Sequence, residues 1–175
     1  MSNHIYRLEE LQKLMASGHC VESKSAVHNS QGYVRTLVPL YFYYIKECVR
    51  KDFPPLPWLR SELGAEAAPY GGYIDTTGEV EAKKYMAFLG NCNAAFTTSQ
   101  YNVYLCWVRH TSHVKAIVTD CSQLHLDCFE GSSAEVEVAS PKAKVIIRQY
   151  GKASVLVSGH TEGVTIKKYD CNTYK

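Results

Sequence analysis

The chain has 175 residues, 46% of them apolar and 21% charged, which is the balance of a globular protein and excludes bulk disorder. Nineteen basic against seventeen acidic side chains leave a net charge of +2, too little for the strongly basic face that nucleic acid binding requires. No apolar run approaches the ~18 residues of a membrane span.

In chain order, residues 1–64 are predicted to be helical. Ile5, Leu8, Leu11, Leu14 and Met15 form one apolar stripe, with Ser2 or Asn3 as cap and Gly18 as stop. A longer helix is expected after Gly32, with Val34, Leu37, Val38, Tyr41, Ile45, Cys48 and Val49 on one face. Lys46, Arg50 and Lys51 place cations near its end. Pro39 must kink this helix or lie in the first turn of a late-starting one, and the prolines of Asp52–Pro57 end it. Trp58–Leu63 can add one turn. Leu40–Ile45 is apolar or aromatic on every side and is expected to be buried on more than one face, or against a partner chain. Ala65–Tyr73, rich in Ala, Gly and Pro, reads as a loop or hinge.

Residues 65–175 then read as a β-repeat domain. Alternating small or apolar sets recur about every ten positions from Met86 onward. They are Ala94-Phe96-Thr98, Tyr104-Cys106-Val108, Val114-Ala116-Val118, Leu124-Leu126-Cys128 and Ala134-Val136-Val138. After an apparent one-residue deletion they continue as Ala143-Val145-Ile147, Ala153-Val155-Val157 and Val164-Ile166. Turn formers separate the sets. An even repeat keeps the same face inward from strand to strand. Two architectures fit: a short-strand β-solenoid with a ten-residue half-coil, or an antiparallel sandwich or barrel. The small inward residues and the lack of Asn-Gly or Asp-Gly hairpin turns favour the solenoid, so the fold class is α+β. The helical region is expected to cap the N-terminal end. The polar tail Lys167–Lys175 is expected to close the other end, and where it does not, that edge becomes an assembly surface.

Seven cysteines at irregular spacing, without a Cys-x-x-Cys pair, suggest thiols in a reducing compartment, with Cys106 and Cys128 buried. The first ten residues show no basic-then-apolar leader pattern, so the expected location is cytoplasmic. The densest polar cluster is His110, His113, Asp120, Cys121, His125, Asp127 and Cys128. A nucleophilic site of Cys121, His125 or His113, and Asp127 can be drawn if residues ten apart are neighbours, and a metal site from His110, His113 and His125. However, alternation turns Cys128 inward and His125 and Asp127 outward, and nothing nearby marks an oxyanion hole. The expectation is therefore no catalytic residue, no metal and no cofactor. Gly71-Gly72 and Gly151 do not form a phosphate-binding loop. The β half carries equal numbers of acids and bases, so its aromatics suit a protein interface better than a nucleic acid. The candidate interface residues are Tyr41, Tyr43, Tyr44, Tyr101, Tyr104 and Trp107.

Four stretches carry a resemblance. They are Gly18-His19-Cys20, Asp52-Phe53-Pro54, the segment Tyr104–Asp120, and the Gly-Lys-Ala-Ser-Val-Leu-Val run at Gly151–Val157. Through them the chain resembles helical-head plus β-repeat proteins of gut Bacteroides and of their phages and mobile elements. The resemblance implies a phage or mobile-element setting and brings no catalytic residues. The function expected is a non-enzymatic interaction or assembly protein, either a virion structural component or a binder of a host protein. It would work in the host cytoplasm or the virion with a protein partner, as a homo-oligomer, or both, and without nucleic acid or membrane. A cysteine-dependent hydrolase and a carbohydrate-binding module are the alternatives.

Overall fold

The computed structural model describes residues 3–15 and 21–175. The chain divides between Tyr70 and Gly71 into a helical unit and a β unit. Cys20 and the Gly18 helix stop lie outside the described residues.

The helical unit contains α1 (Asn3–Leu14), α2 (Val21–Asn29), α3 (Val34–Tyr43), α4 (Ile45–Lys51) and α5 (Leu56–Trp58). Leu11, Met15, Val27, Leu37, Val38, Val49, Trp58, Leu59 and Leu63 form its core. The sequence reading left α2 unassigned. Its nine residues bury only Ser23 and Val27, too few for a periodic signal. The long helix expected after Gly32 is divided, but at Tyr44 (φ −98°, ψ 22°) and not at Pro39, which lies within α3. The segment from residue 65, read as a loop, is instead part of a 3-10 helix, Gly64–Tyr70, preceded by a π-helical turn, Leu59–Leu63. Arg7 ties the unit together. It is buried, donates from Nη1 to Gly32 O (3.2 Å) and from Nη2 to Glu66 Oε2 (3.4 Å), and lies 3.9 Å from Glu62. A buried guanidinium is tolerable only with such partners.

The β unit is a β-solenoid of about five turns. Its strands are β1 (Gly72–Ile74), β2 (Thr77–Glu79), β3 (Tyr85–Leu89), β4 (Asn93–Thr98), β5 (Val103–Val108) and β6 (His113–Val118). They continue as β7 (Gln123–Cys128), β8 (Ser133–Val138), β9 (Lys144–Tyr150), β10 (Ser154–Gly159) and β11 (Val164–Tyr169). Odd strands form one parallel sheet in the order β1-β3-β5-β7-β9-β11, and even strands the other, in the order β10-β8-β6-β4-β2. The alternating sets of the sequence are the inward rungs: Val114, Ala116, Val118, Leu124, Leu126, Cys128, Val138, Val145 and Ile147 have no exposure at all. Within one coil the two sheets are one half-coil apart, so residues ten apart lie on opposite sheets and residues twenty apart are neighbours, as in Val103↔Gln123 and His113↔Ser133.

The register also corrects the repeat count. Gln123 pairs Lys144 and Ser133 pairs Ser154, a step of twenty-one, so one residue is inserted at the Ser140–Ala143 corner and none is deleted there. Val145 pairs Val164, a step of nineteen, so the corner between β10 and β11 returns the residue.

The corners explain why hairpin turn pairs are missing. Gln100, His110, Asp120 and Glu130 take left-handed backbone (φ +62°, +59°, +52° and +51°), one at every half-coil. Glycine would relieve the strain, but side chains here serve the coil below. Gly90 N–H donates to His110 Nδ1 (3.0 Å), His110 N–H to Glu130 Oε2 (3.2 Å) and Gln100 N–H to Asp120 Oδ2 (2.8 Å). Beneath them buried serines satisfy inward backbone groups: Cys92 N–H donates to Ser112 Oγ (3.2 Å), and Ser132 Oγ–H to Val108 O (3.0 Å).

Candidate functional site

The half-coil rule divides the polar cluster singled out in the sequence, and of its members only His125 and Asp127 are alternate outward residues of one strand, β7. His110 and His113 flank one corner edge, while Asp120 and Cys121 lie at the edge reached after crossing β6, roughly 20 Å at strand rise. His113 Nδ1 is 2.9 Å from Ser133 Oγ, and His125 Nε2 is 2.7 Å from Gln123 Nε2. Cys128 points inward, where burial pushes its thiol up to about 12, and burial also pushes Cys106 well above the usual thiol range. The half-exposed Cys121 has the Tyr101 hydroxyl as neighbour. Among the described residues no three His, Cys, Asp or Glu side chains gather into a group able to hold a metal ion.

What the fold does assemble is a polar and aromatic seam on the outer face of the odd-strand sheet. Trp107, Asp127 and Arg148 are consecutive outward residues of β5, β7 and β9. Arg148 Nε–H donates to Asp127 Oδ1 (2.7 Å). From the tail, the Tyr174 hydroxyl accepts from Trp107 Nε1–H (2.8 Å) and donates to Asp127 Oδ2. One row over, Phe129, Tyr150 and Tyr169 stack ring on ring, with centroids 4.7 Å apart at each step, and Tyr174 meets Phe129 and Tyr150 edge-on. Burial raises the Asp127 pKa, opposed by the Tyr174 hydrogen bond and the Arg148 charge. Burial and the Arg148 charge together lower that of His125. Trp107, Asp127, Arg148 and Tyr174 are paired with one another, so this seam fastens the tail.

The candidate interface residues separate accordingly. Tyr43 and Tyr101 stand 80% and 86% exposed, and Tyr41 and Tyr44 are half-buried. Tyr104 is an inward rung whose hydroxyl donates to Ser99 O (3.3 Å), and Trp107 lies buried against the tail. These two belong to the packing of the β unit itself. The Leu40–Ile45 stretch is less buried than its composition suggested: only Ile45 is fully covered.

A surface the sequence reading named only conditionally is the terminal coil. β10 and β11 each have a strand partner on one side only. Their inward residues are uncovered in step: Val155, Val157 and Val164 are half-buried and Ile166 is 45% exposed, against complete burial of the same rungs at Val145 and Ile147. Leu156, outward on β10, is 70% exposed. The tail that was expected to close this end turns away from it. Asn172 packs on Gly151, leaving no room there for a Cβ, and Tyr174 reaches the seam at Trp107 and Asp127. The edge itself is ordered by alternation. Ser154 and His160 donate their N–H groups to Ser132 and Val138 of the preceding coil, while Gly163 and Tyr169 accept from Val145 and Gly151. The backbone groups of Val155 and Val157, and of Ile166 and Lys168, therefore point to the open edge, whereas the Val164 N–H turns back to Thr161 O (3.0 Å).

The chain matches no protein-family model, and neither a curated protein nor a solved structure is similar to it. Among the described residues no helix is long and apolar enough to cross a membrane.

Proposed function

We propose that this is a non-enzymatic interaction or assembly protein, encoded by a phage or mobile element and acting as a virion component or as a binder of a host protein. The observation that supports this most is the terminal coil: two adjacent strand edges with unpaired backbone groups and half-covered apolar rungs, on a rigid stack. Such an edge is a template for another chain, and rigid repeat stacks are suited to binding and assembly. Of the side chains drawn for a hydrolase, Cys121 lies in the corner before β7, His125 sits beside Gln123, and Asp127 is engaged by Arg148 and Tyr174. The test is light scattering coupled to size exclusion, with mass spectrometric identification of whatever co-elutes from host or infected-cell lysate. A defined homo-oligomer, or an identified protein bound in fixed ratio and released by Leu156→Lys, is expected. A measured turnover abolished by Cys121→Ala or His125→Ala would overturn the reading.

A further inference from the structure

We propose that the occupant of the open coil is a second copy of this chain, joined end to end about a two-fold axis running along the strands. The inference rests on the interaction reading above and narrows it to one partner. β10 and β11 run in opposite directions on the two sheets, so such an axis lays β11 of each copy antiparallel against β10 of the other. This forms two identical ladders, as a closed two-fold interface requires. Open-edge residues then face open-edge residues. Ile166 meets Val157 and Lys168 meets Val155, which covers Val155, Val157 and Ile166, rungs the monomer leaves half exposed.

Charge selects this axis over its alternative. The exposed Lys144, Lys167 and Lys168 make the odd-strand side of the end basic, whereas the outer even-strand face carries Glu135 and Glu137 next to the end, with Lys115 one strand further in beside Glu135. An axis normal to the sheets would set β11 on β11 and bring the Lys167–Lys168 segments of the two copies together, an unfavourable meeting of like charges on opposed strands. The axis along the strands sets each basic side on the side that carries Glu135 and Glu137 next to the end. Lys167 lies across from Leu156 of the other copy, whose ladder neighbour is Glu135, about two strand spacings away and within the reach of the two side chains.

The experiment is light scattering and sedimentation of the full chain over a concentration series, for wild type, Lys167→Glu, and Lys167→Glu combined with Glu135→Lys. Circular dichroism confirms that each is folded. Wild type is expected to be dimeric. Lys167→Glu should weaken the dimer about tenfold or more, since each lost pair occurs twice, and the double exchange should restore it. Amides of Val157 and Ile166 should gain exchange protection as concentration rises. A monomer at all concentrations, or a dimer indifferent to the charge exchange, would overturn the proposal. So would a different protein bound in fixed ratio to this edge on a monomeric chain, although that result would leave the interaction reading standing. Turnover lost in Cys121→Ala would remove the interaction reading whatever the dimer does.

Discussion

The Tyr174 hydroxyl is gripped from both sides, accepting from the Trp107 indole and donating to the Asp127 carboxylate. Tyr174→Phe keeps the ring contacts with Phe129 and Tyr150 but leaves a buried N–H and a buried carboxylate oxygen short of a partner. It should cost about 1–3 kcal/mol in urea unfolding. Asp127 itself gives a pH signature. Its pKa in the fold is raised above the ordinary 3.8, chiefly by burial, so the folded chain holds this proton more tightly than the unfolded chain does. The carboxyl's contribution to stability therefore grows as pH falls from the raised value towards 3.8, is constant below, and is at its lowest at neutral pH. Unfolding midpoints of wild type relative to Asp127→Asn should rise as pH is lowered through that window. A difference that instead shrank on acidification would show that the ion pair with Arg148 outweighs burial.

At the scale of strands and helices, alternation alone disclosed which residues face inward, because each rung has one dry side and the half-coil is even. Val136 is almost fully buried and Thr97 is outward and exposed. Val136→Asp should cost roughly 3–5 kcal/mol by burying an unpaired charge. Thr97→Lys should stay within about 0.5 kcal/mol. Denaturant titration of both variants separates this assignment from one shifted by a single residue, which would exchange the two outcomes. Other features were not legible. The insertion at Ser140–Ala143 was mistaken for a deletion because Ala143 and Ala153, small residues at corners, imitate the start of an inward set. Trp107 has outward parity, and only a tail residue sixty-seven positions away makes it interior. The stack of Phe129, Tyr150 and Tyr169 is spaced by twenty-one and nineteen residues, which a strict ten-residue count passes over. α2 was missed because nine residues with two buried side chains carry almost no period.

Within the β unit each inner coil is supported by the coil before and the coil after it, while the first and the last have one coil neighbour each. Stability in such a stack is a sum of coil and nearest-neighbour contributions. Hydrogen exchange of dilute, monomeric protein should therefore be graded, slowest for the β5–β8 amides and fast for β10 and β11, whose inward rungs are uncovered. Uniform protection along the strands would mean that the coils unfold as a single block. The sequence disclosed the ten-residue half-coil but not the bareness of the last coil, because that depends on where the tail goes.

The residue gained at the Ser140–Ala143 corner and returned between β10 and β11 has an evolutionary meaning. Corners absorb a slip of one without turning any strand inside out, whereas the same slip within a strand would exchange its wet and dry faces. Such a chain can change length freely in two ways only: by single residues at its corners, or by whole blocks of about twenty. Duplication of a block such as 103–122 would add a coil whose rungs fall in register on both sides, lengthening the stack while carrying its terminal edge outward unchanged.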